Sequence, residues 1–95
     1  MYLKGVIFTG HAIRQMFMRK ISIEEVHAVL TRYETVTSYP EDTPYPSRLI
    51  LGFARGRALH VLIGYNEAEK TGYVVTAYDP DPDVWEKDLK TRRRP

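Results

Sequence analysis

Residues 47–78 constrain the fold more than any other part of the chain. Three runs rich in Val, Ile, Leu, Thr and Tyr follow one another there: "SRLILGFA" (47–54), "ALHVLIGY" (58–65) and "GYVVTAY" (72–78). Only "RGR" at 55–57 and "NEAEKT" at 66–71 separate them. Connections this short make hairpins, so the runs pair antiparallel. A fourth run, "ETVTSY" (34–39), precedes them, and the Pro- and acid-rich "YPEDTPYP" (39–46) forms the one long loop. A sheet of this kind has to be covered on at least one face.

The cover comes from the first third of the chain. "GVIF" (5–8) reads as a short strand, and Thr9 follows as a helix cap whose hydroxyl accepts an orphan backbone N–H. In "HAIRQMFMRK" the residues Ala12, Ile13, Met16 and Phe17 make one helical stripe, with His11, Arg14 and Met18 on another side. Arg19 lies about two turns beyond His11 on that same side. Ser22 and Glu25 form a capping box for a second helix, with Ile23, Val26, Val29 and Leu30 as its buried stripe. The short link between the two predicts a helical hairpin. Near the C-terminus, Asp81 followed by Pro82 predicts a last helix with Val84, Trp85 and Leu89 as its apolar edge. The expected order is β-α-α-β-β-β-β-α. The expected architecture is α+β, a four- to five-stranded antiparallel sheet with the helical hairpin on one face and a C-terminal helix.

Alternation along the strands sorts the polar residues. Leu59, Val61 and Ile63 share one face with Tyr73, Val75 and Ala77, the expected core. If Ile63 stands opposite Val75, then His60 faces Tyr78, with Thr76 diagonal to it, on the side away from the helices. An open face carrying His60, Thr76 and Tyr78 is able to trade protons near neutral pH. Metal-free RNA cleavage needs a base for the 2′-hydroxyl, an acid for the leaving oxygen and cations for the phosphorane.

With 95 residues, the chain suffices for one small domain over 1–95, and about 90–95 reads as a frayed basic tail. Lys and Arg number 14 against 12 acids, a net charge of +2, which is too weak a bias to name a partner. The kind of cation says more: nine of the basic residues are Arg, which grips phosphate in a two-pronged fashion. The absence of Cys excludes disulfides, thiolate catalysis and Cys-ligated zinc. No His-x-x-His or HExxH motif occurs, and "DPDPD" (79–83) lacks the turn Gly and distal Glu of a calcium loop, so no metal or cofactor is expected. "MYLKGVIF" is unlike a signal peptide and no stretch is long enough to span a membrane. The expectation is a cytoplasmic protein.

Each candidate also has an ordinary structural account. His11 can be a solvated first-turn residue, and His60 a strand histidine bonded to a neighbour. His27 fits best beside the second helix's core stripe. Arg14 and Arg19 can be solvated or paired with Glu24 or Glu25, Arg57 can flank a hairpin, and Trp85 can anchor the core.

"FTGHAIRQMFMRKISIEEV", "GRALHVLIGY" and "YVVTAYDPDPDVWEKDLKTRRR" together resemble a bacterial family of small proteins of unknown function, grouped with RelE/ParE-like toxins of the barnase–EndoU–colicin–RelE fold. The resemblance runs from Phe8 to Arg94. It implies a toxin of a type II toxin–antitoxin pair that cleaves RNA, and the residues of the sheet face add the expectation that it does so without a metal, leaving 2′,3′-cyclic phosphates. It also implies an antitoxin partner, often of zinc-finger and helix-turn-helix type. By position the matching polar residues are His11, Arg14, Arg19, His60, Thr76 and Tyr78. His11, His60, Tyr78 and Thr76 are then the expected catalytic group, and Arg14, Arg19 and Arg57 the expected substrate grip. Two other readings stay open. One is a non-catalytic binding module, including a toxin that blocks a protein such as gyrase. The other is a degenerate toxin fold that only pairs with an antitoxin.

Overall fold

A computed structural model describes residues 1–94. Its elements are β1 (Gly5–Phe8), α1 (Gly10–Arg19), α2 (Ile23–Thr31), β2 (Tyr33–Tyr39), β3 (Ser47–Ala54), β4 (Arg57–Asn66) and β5 (Thr71–Tyr78). This is an α+β fold in the expected order as far as the last strand. The five strands form one sheet in the order β1-β5-β4-β3-β2. Strands β2 to β5 make an antiparallel meander, which the short loops require from β3 to β5 and which β2 joins across the long loop at 40–46. β1 differs: it pairs parallel with β5, from Gly5 opposite Thr71 to Phe8 opposite Val74, so the sheet is mixed. The hairpin constraint never applied to β1, because two helices lie between it and β2.

Both helices start as their caps dictate. Thr9 Oγ1 accepts from Ala12 N at 3.0 Å. Ser22 and Glu25 exchange hydrogen bonds of 2.9 and 3.0 Å. α1 lies along β5, and α2 lies across β3 and β4. They lie on one face of the sheet, joined by the short link at 20–22, and pack on the sheet more than on each other. The core between the layers is built from Ala12, Met16, Val26, Val29, Ile50, Leu59, Val61, Ile63, Val74 and Ala77.

The stripe expected on α1 is only half right. Ala12 and Met16 are buried, but Ile13 is 42% exposed and Phe17 85%. α1 overlies β5, whose outer neighbour β1 stops at Val74, so only a narrow line of the helix meets the sheet. α2 comes closer. A Cβ on Gly52 of β3 would stand 2.8 Å from Val29 Cγ1 and 3.0 Å from the Arg32 carbonyl, so only glycine lets the helix settle there.

Among the described residues after β5 the expected C-terminal helix does not form. Val84 N and Trp85 N both donate to the Asp81 carbonyl at 2.9 Å, one turn that goes no further. The Asp88 side chain then captures the N–H groups of Lys90 and Thr91 at 2.9 and 3.0 Å. Short acidic side chains offer the backbone such alternatives to a helix. Trp85 and Arg92 form an antiparallel bridge, closing a small loop. In the segment after it, Arg93 donates to the Pro82 carbonyl at 2.7 Å and to Glu86 at 2.9 Å. The fraying expected at Pro95 lies outside the described residues. Among the described residues, no helix is long and apolar enough to cross a membrane.

Candidate active site

Alternation along β4 sends His60 to the face opposite the helices, between Leu51 of β3 and Tyr78 of β5. The juxtaposition of His60 and Tyr78 is the one the alternation predicts. The route to it contains a correction. Leu62 pairs with Thr76 but Ile63 pairs with Val74, so Val75 is an extra residue in β5. The buried pair on the helix side is therefore Val74 and Ala77, not Tyr73, Val75 and Ala77.

His60 is also not on an open surface. It is fully buried, because the C-terminal segment folds over it. Trp85 meets its ring edge-on at 4.7 Å, and Nε2 lies 2.7 Å from the Leu89 carbonyl oxygen. A carbonyl only accepts, so Nε2 carries the hydrogen. Nδ1 is then the acceptor for the Tyr78 hydroxyl at 3.1 Å. Burial pushes the His60 pKa below its ordinary value, against the opposing pull of the Leu89 carbonyl. The ring is neutral at neutral pH. Burial likewise pushes the Tyr78 phenol up, while the charges of Arg92 and Arg19 draw it back down.

Tyr78 connects this buried pair to solvent. It lines a cavity of about 320 Å³ with Tyr39, Asp42, Leu49, Leu62, Thr76 and Arg92. Arg19 reaches the same place from the last turn of α1. Its Nη1 donates to the Ala77 carbonyl at 2.9 Å and to Thr76 Oγ1 at 3.3 Å. It is able to do so because β1 ends opposite Val74, leaving the edge of β5 free beyond that point. The structure thus brings together Arg19, His60, Thr76 and Tyr78.

The other expected residues stand elsewhere. His11 and Arg14 are exposed on α1. The start of α1 is tied to Val74, where Thr9 N donates to its carbonyl at 3.2 Å, four residues along β5 from Tyr78. At 3.2–3.4 Å per residue that is roughly 13 Å along the strand, so His11 and His60 do not share a site. Arg57 is occupied rather than free for substrate. It donates to Asp79 at 2.6 and 2.8 Å, to the Lys20 and Arg19 carbonyls at 2.9 and 3.0 Å, and to Glu25 at 3.4 Å. Asp79 holds the guanidinium more firmly protonated, and Arg57 in turn keeps the Asp79 carboxyl below its usual range. Its role is to fasten the end of α1, and with it Arg19, to the end of β5.

Two polar cavity residues, Tyr39 and Asp42, carry no functional signal in the sequence, and Arg92 enters only among the C-terminal arginines expected to extend the electrostatic footprint. Arg92 lay in a run read as tail, yet its guanidinium carbon stands 5.0 Å over the Trp85 ring. Tyr39 ends β2, and Asp42 lies in the loop after it, whose prolines and acids signal only a turn. Among the described residues, no group of three or more His, Asp or Glu side chains is placed to hold a metal ion.

A family model described as "Domain of unknown function (DUF4258)" matches residues 8–79, about three quarters of the chain. The matched span takes in Arg19, His60, Thr76 and Tyr78 and ends before Trp85 and Arg92. No curated protein and no solved structure matches.

Proposed function

The chain belongs to the family of the domain of unknown function DUF4258, and from that premise we propose that it is a metal-independent endoribonuclease, the toxin of a type II toxin–antitoxin pair. One observation carries this reading. A tyrosine lining a cavity is hydrogen-bonded to a buried imidazole, Arg92 lines the same cavity, and Arg19 holds Thr76 beside it.

The chemistry follows from that arrangement. The 2′-hydroxyl of an RNA strand in the cavity gives its proton to the Tyr78 oxygen as Tyr78 passes its own to His60 Nδ1. The 2′-oxygen bonds to phosphorus and the bond to the 5′-oxygen breaks. That oxygen leaves with a proton from water, and the hydroxide so formed takes back, through Tyr78, the proton that His60 holds. The products are a 2′,3′-cyclic phosphate and a 5′-hydroxyl. Arg19 and Arg92 offset the charge that develops on the phosphoryl oxygens, and Thr76 orients Arg19. His60 meets no substrate; it acts through Tyr78, and its new charge faces the Leu89 carbonyl. His11 and Arg14 take no part in this step and serve the electrostatic approach of RNA. An enzyme of this kind needs restraint in the cell that makes it, which is the role of a cognate antitoxin.

RNA cleavage by the purified protein, with chelator present, on free RNA and on translating ribosomes, tests the reading. Tyr78→Phe keeps the ring and removes only the proton path, and its cleavage rate is expected to fall by about 10²–10⁴-fold. His60→Ala is the poorer probe, because it opens a hole in a buried site. Cyclic-phosphate products that persist at the wild-type rate in Tyr78→Phe would remove Tyr78 from the chemistry.

A second reading is favoured by the outer side of α1, where Phe17 and Met18 are 85% and 77% exposed beside Ile13. Apolar side chains in such a group mark a protein interface. If neither RNA substrate is cut, a non-catalytic binding module that engages a protein through α1 takes precedence.

A further inference from the structure

The cavity at Tyr78 does not end there. A second cavity of about 370 Å³ adjoins it, and Asp42 and Leu62 line both. Its size lies in the range of small-molecule sites, roughly 300–1,000 Å³. Tyr45 and Tyr73 form one wall, stacked nearly parallel with ring centres 5.2 Å apart. Leu62 and Val75 add apolar surface. None of the residues lining this second cavity is a cation, whereas Arg92 lines the first. Asp42 stands at the junction. One of its oxygens accepts from Ser47, and among the described residues its charge is paired with no cation.

Charge and shape therefore segregate along the groove. Cations and the proton path are at one end, with aromatic surface and a carboxylate at the other. A nucleotide is divided the same way, into phosphate and base. We infer that the cavity walled by Tyr45 and Tyr73 is a base-reading subsite, in which Asp42 selects guanine next to the scissile phosphate. This rests on the endoribonuclease reading above.

The choice of guanine follows from what a carboxylate is able to do. It accepts hydrogen bonds and donates none. Guanine alone presents two adjacent N–H donors on its pairing edge, N1–H and the N2 amino group. Adenine and cytosine set one amino donor beside a ring acceptor, and uracil sets its N–H between two carbonyls. For those three, a carboxylate oxygen meets a lone pair. The four or so lone-pair positions of Asp42 leave room for a guanine after the Ser47 bond is made. The tyrosine wall supplies stacking surface for the base without choosing among bases.

Two measurements test the inference. The first is cleavage of oligonucleotides that differ only in the base beside the cut, comparing wild type with Asp42→Asn. Asparagine still accepts from Ser47 but brings an N–H donor into the subsite. Wild type is expected to favour guanine by roughly 10- to 100-fold, and Asp42→Asn to lose most of that preference while still cutting. The second is NMR titration with 3′-GMP, 3′-AMP, 3′-CMP and 3′-UMP, which needs no catalysis. Amide shifts of Tyr45, Tyr73 and Val75 are expected to follow 3′-GMP most strongly, and less so in Asp42→Asn. RNA cut with no base preference, or with a preference that Asp42→Asn leaves unchanged, overturns the subsite and spares the ribonuclease reading. Selective 3′-GMP shifts without cleavage of any RNA support the subsite and overturn the ribonuclease reading. Neither cleavage nor selective shifts overturns both.

Discussion

The two faces of this sheet are made by the same strands and covered in different ways. On the helix face, α1 and α2 seal Ile50, Leu59, Val61, Ile63, Val74 and Ala77 into an apolar core. On the far face, Leu51, His60 and Tyr78 lie side by side under a coil that carries Trp85 and Leu89. Beyond that coil the face stays open as two joined cavities. Helices placed by their own periodicity bury area efficiently. A coil placed by a few specific contacts leaves gaps, and the polar chemistry sits beside them. The helix face stabilises the molecule, and the far face is where a proton is able to move.

Mutations on either side test this contrast. The largest effect is expected from Trp85→Ala, which should cost about 3 kcal/mol in chemical denaturation and raise the His60 pKa toward its ordinary value of about 6.5 as the ring becomes wetter. An NMR titration of His60 that does not move would show that the coil is not what keeps His60 dry. Met16→Ala on the helix face should cost somewhat less, about 2–3 kcal/mol, whereas Phe17→Ala, one residue on, should change stability by less than about 0.5 kcal/mol. Equal losses would mean that Phe17 is covered in solution, most simply by a partner on α1. Gly52→Ala should cost about 2 kcal/mol, because the added methyl presses on the Arg32 carbonyl and on Val29, and backbone cannot yield as a flexible side chain would. A melting temperature within a degree of wild type would show that α2 rides loosely on β3.

The smallest effect concerns pH. His60 has a lowered pKa in the folded state, so the unfolded chain binds its proton more readily. Its neutral burial contributes stability in full above pH 6.5, the ordinary value, and that contribution is lost as pH falls below it. Denaturation midpoints should decline on that acid side in His60-containing protein. His60→Gln should flatten this limb. An unchanged acid limb in His60→Gln would assign the decline to carboxylates instead, such as Asp79 on Arg57 or Glu25 in its capping box.

Much of the fold was legible because it is encoded locally. Thr9, Ser22 and Glu25 cap the helices where their side-chain chemistry predicts. Short loops forced the antiparallel run from β3 to β5, and alternation put His60 opposite Tyr78. The errors have local causes too. Val75 disturbs the alternation in β5, and nothing in "GYVVTAY" marks which residue is the extra one. On α1 the apolar pattern is wider than the strip the sheet covers, so periodicity alone over-assigned Ile13 and Phe17 to the core. The stretch after Tyr78 has a helix's opening signal at Asp81, but Asp88 claims the backbone donors that a helix would need. At the candidate site, Arg57 illustrates the limit: a free arginine and one holding two carboxylates and two carbonyls look the same in sequence.

The sequence by itself determined the elements from β1 to β5, their order, the caps of α1 and α2 and the antiparallel pairing across the short loops. Each of these follows from the periodicity, hydrogen-bonding groups or loop lengths of a few adjacent residues. The tertiary structure alone decided that β1 closes the sheet parallel to β5, that the C-terminal coil buries His60, and that Arg19 turns round a free strand edge to meet Thr76. Those outcomes depend on which surfaces and unpaired backbone groups remain after every other element has packed. No short stretch of the chain carries that information.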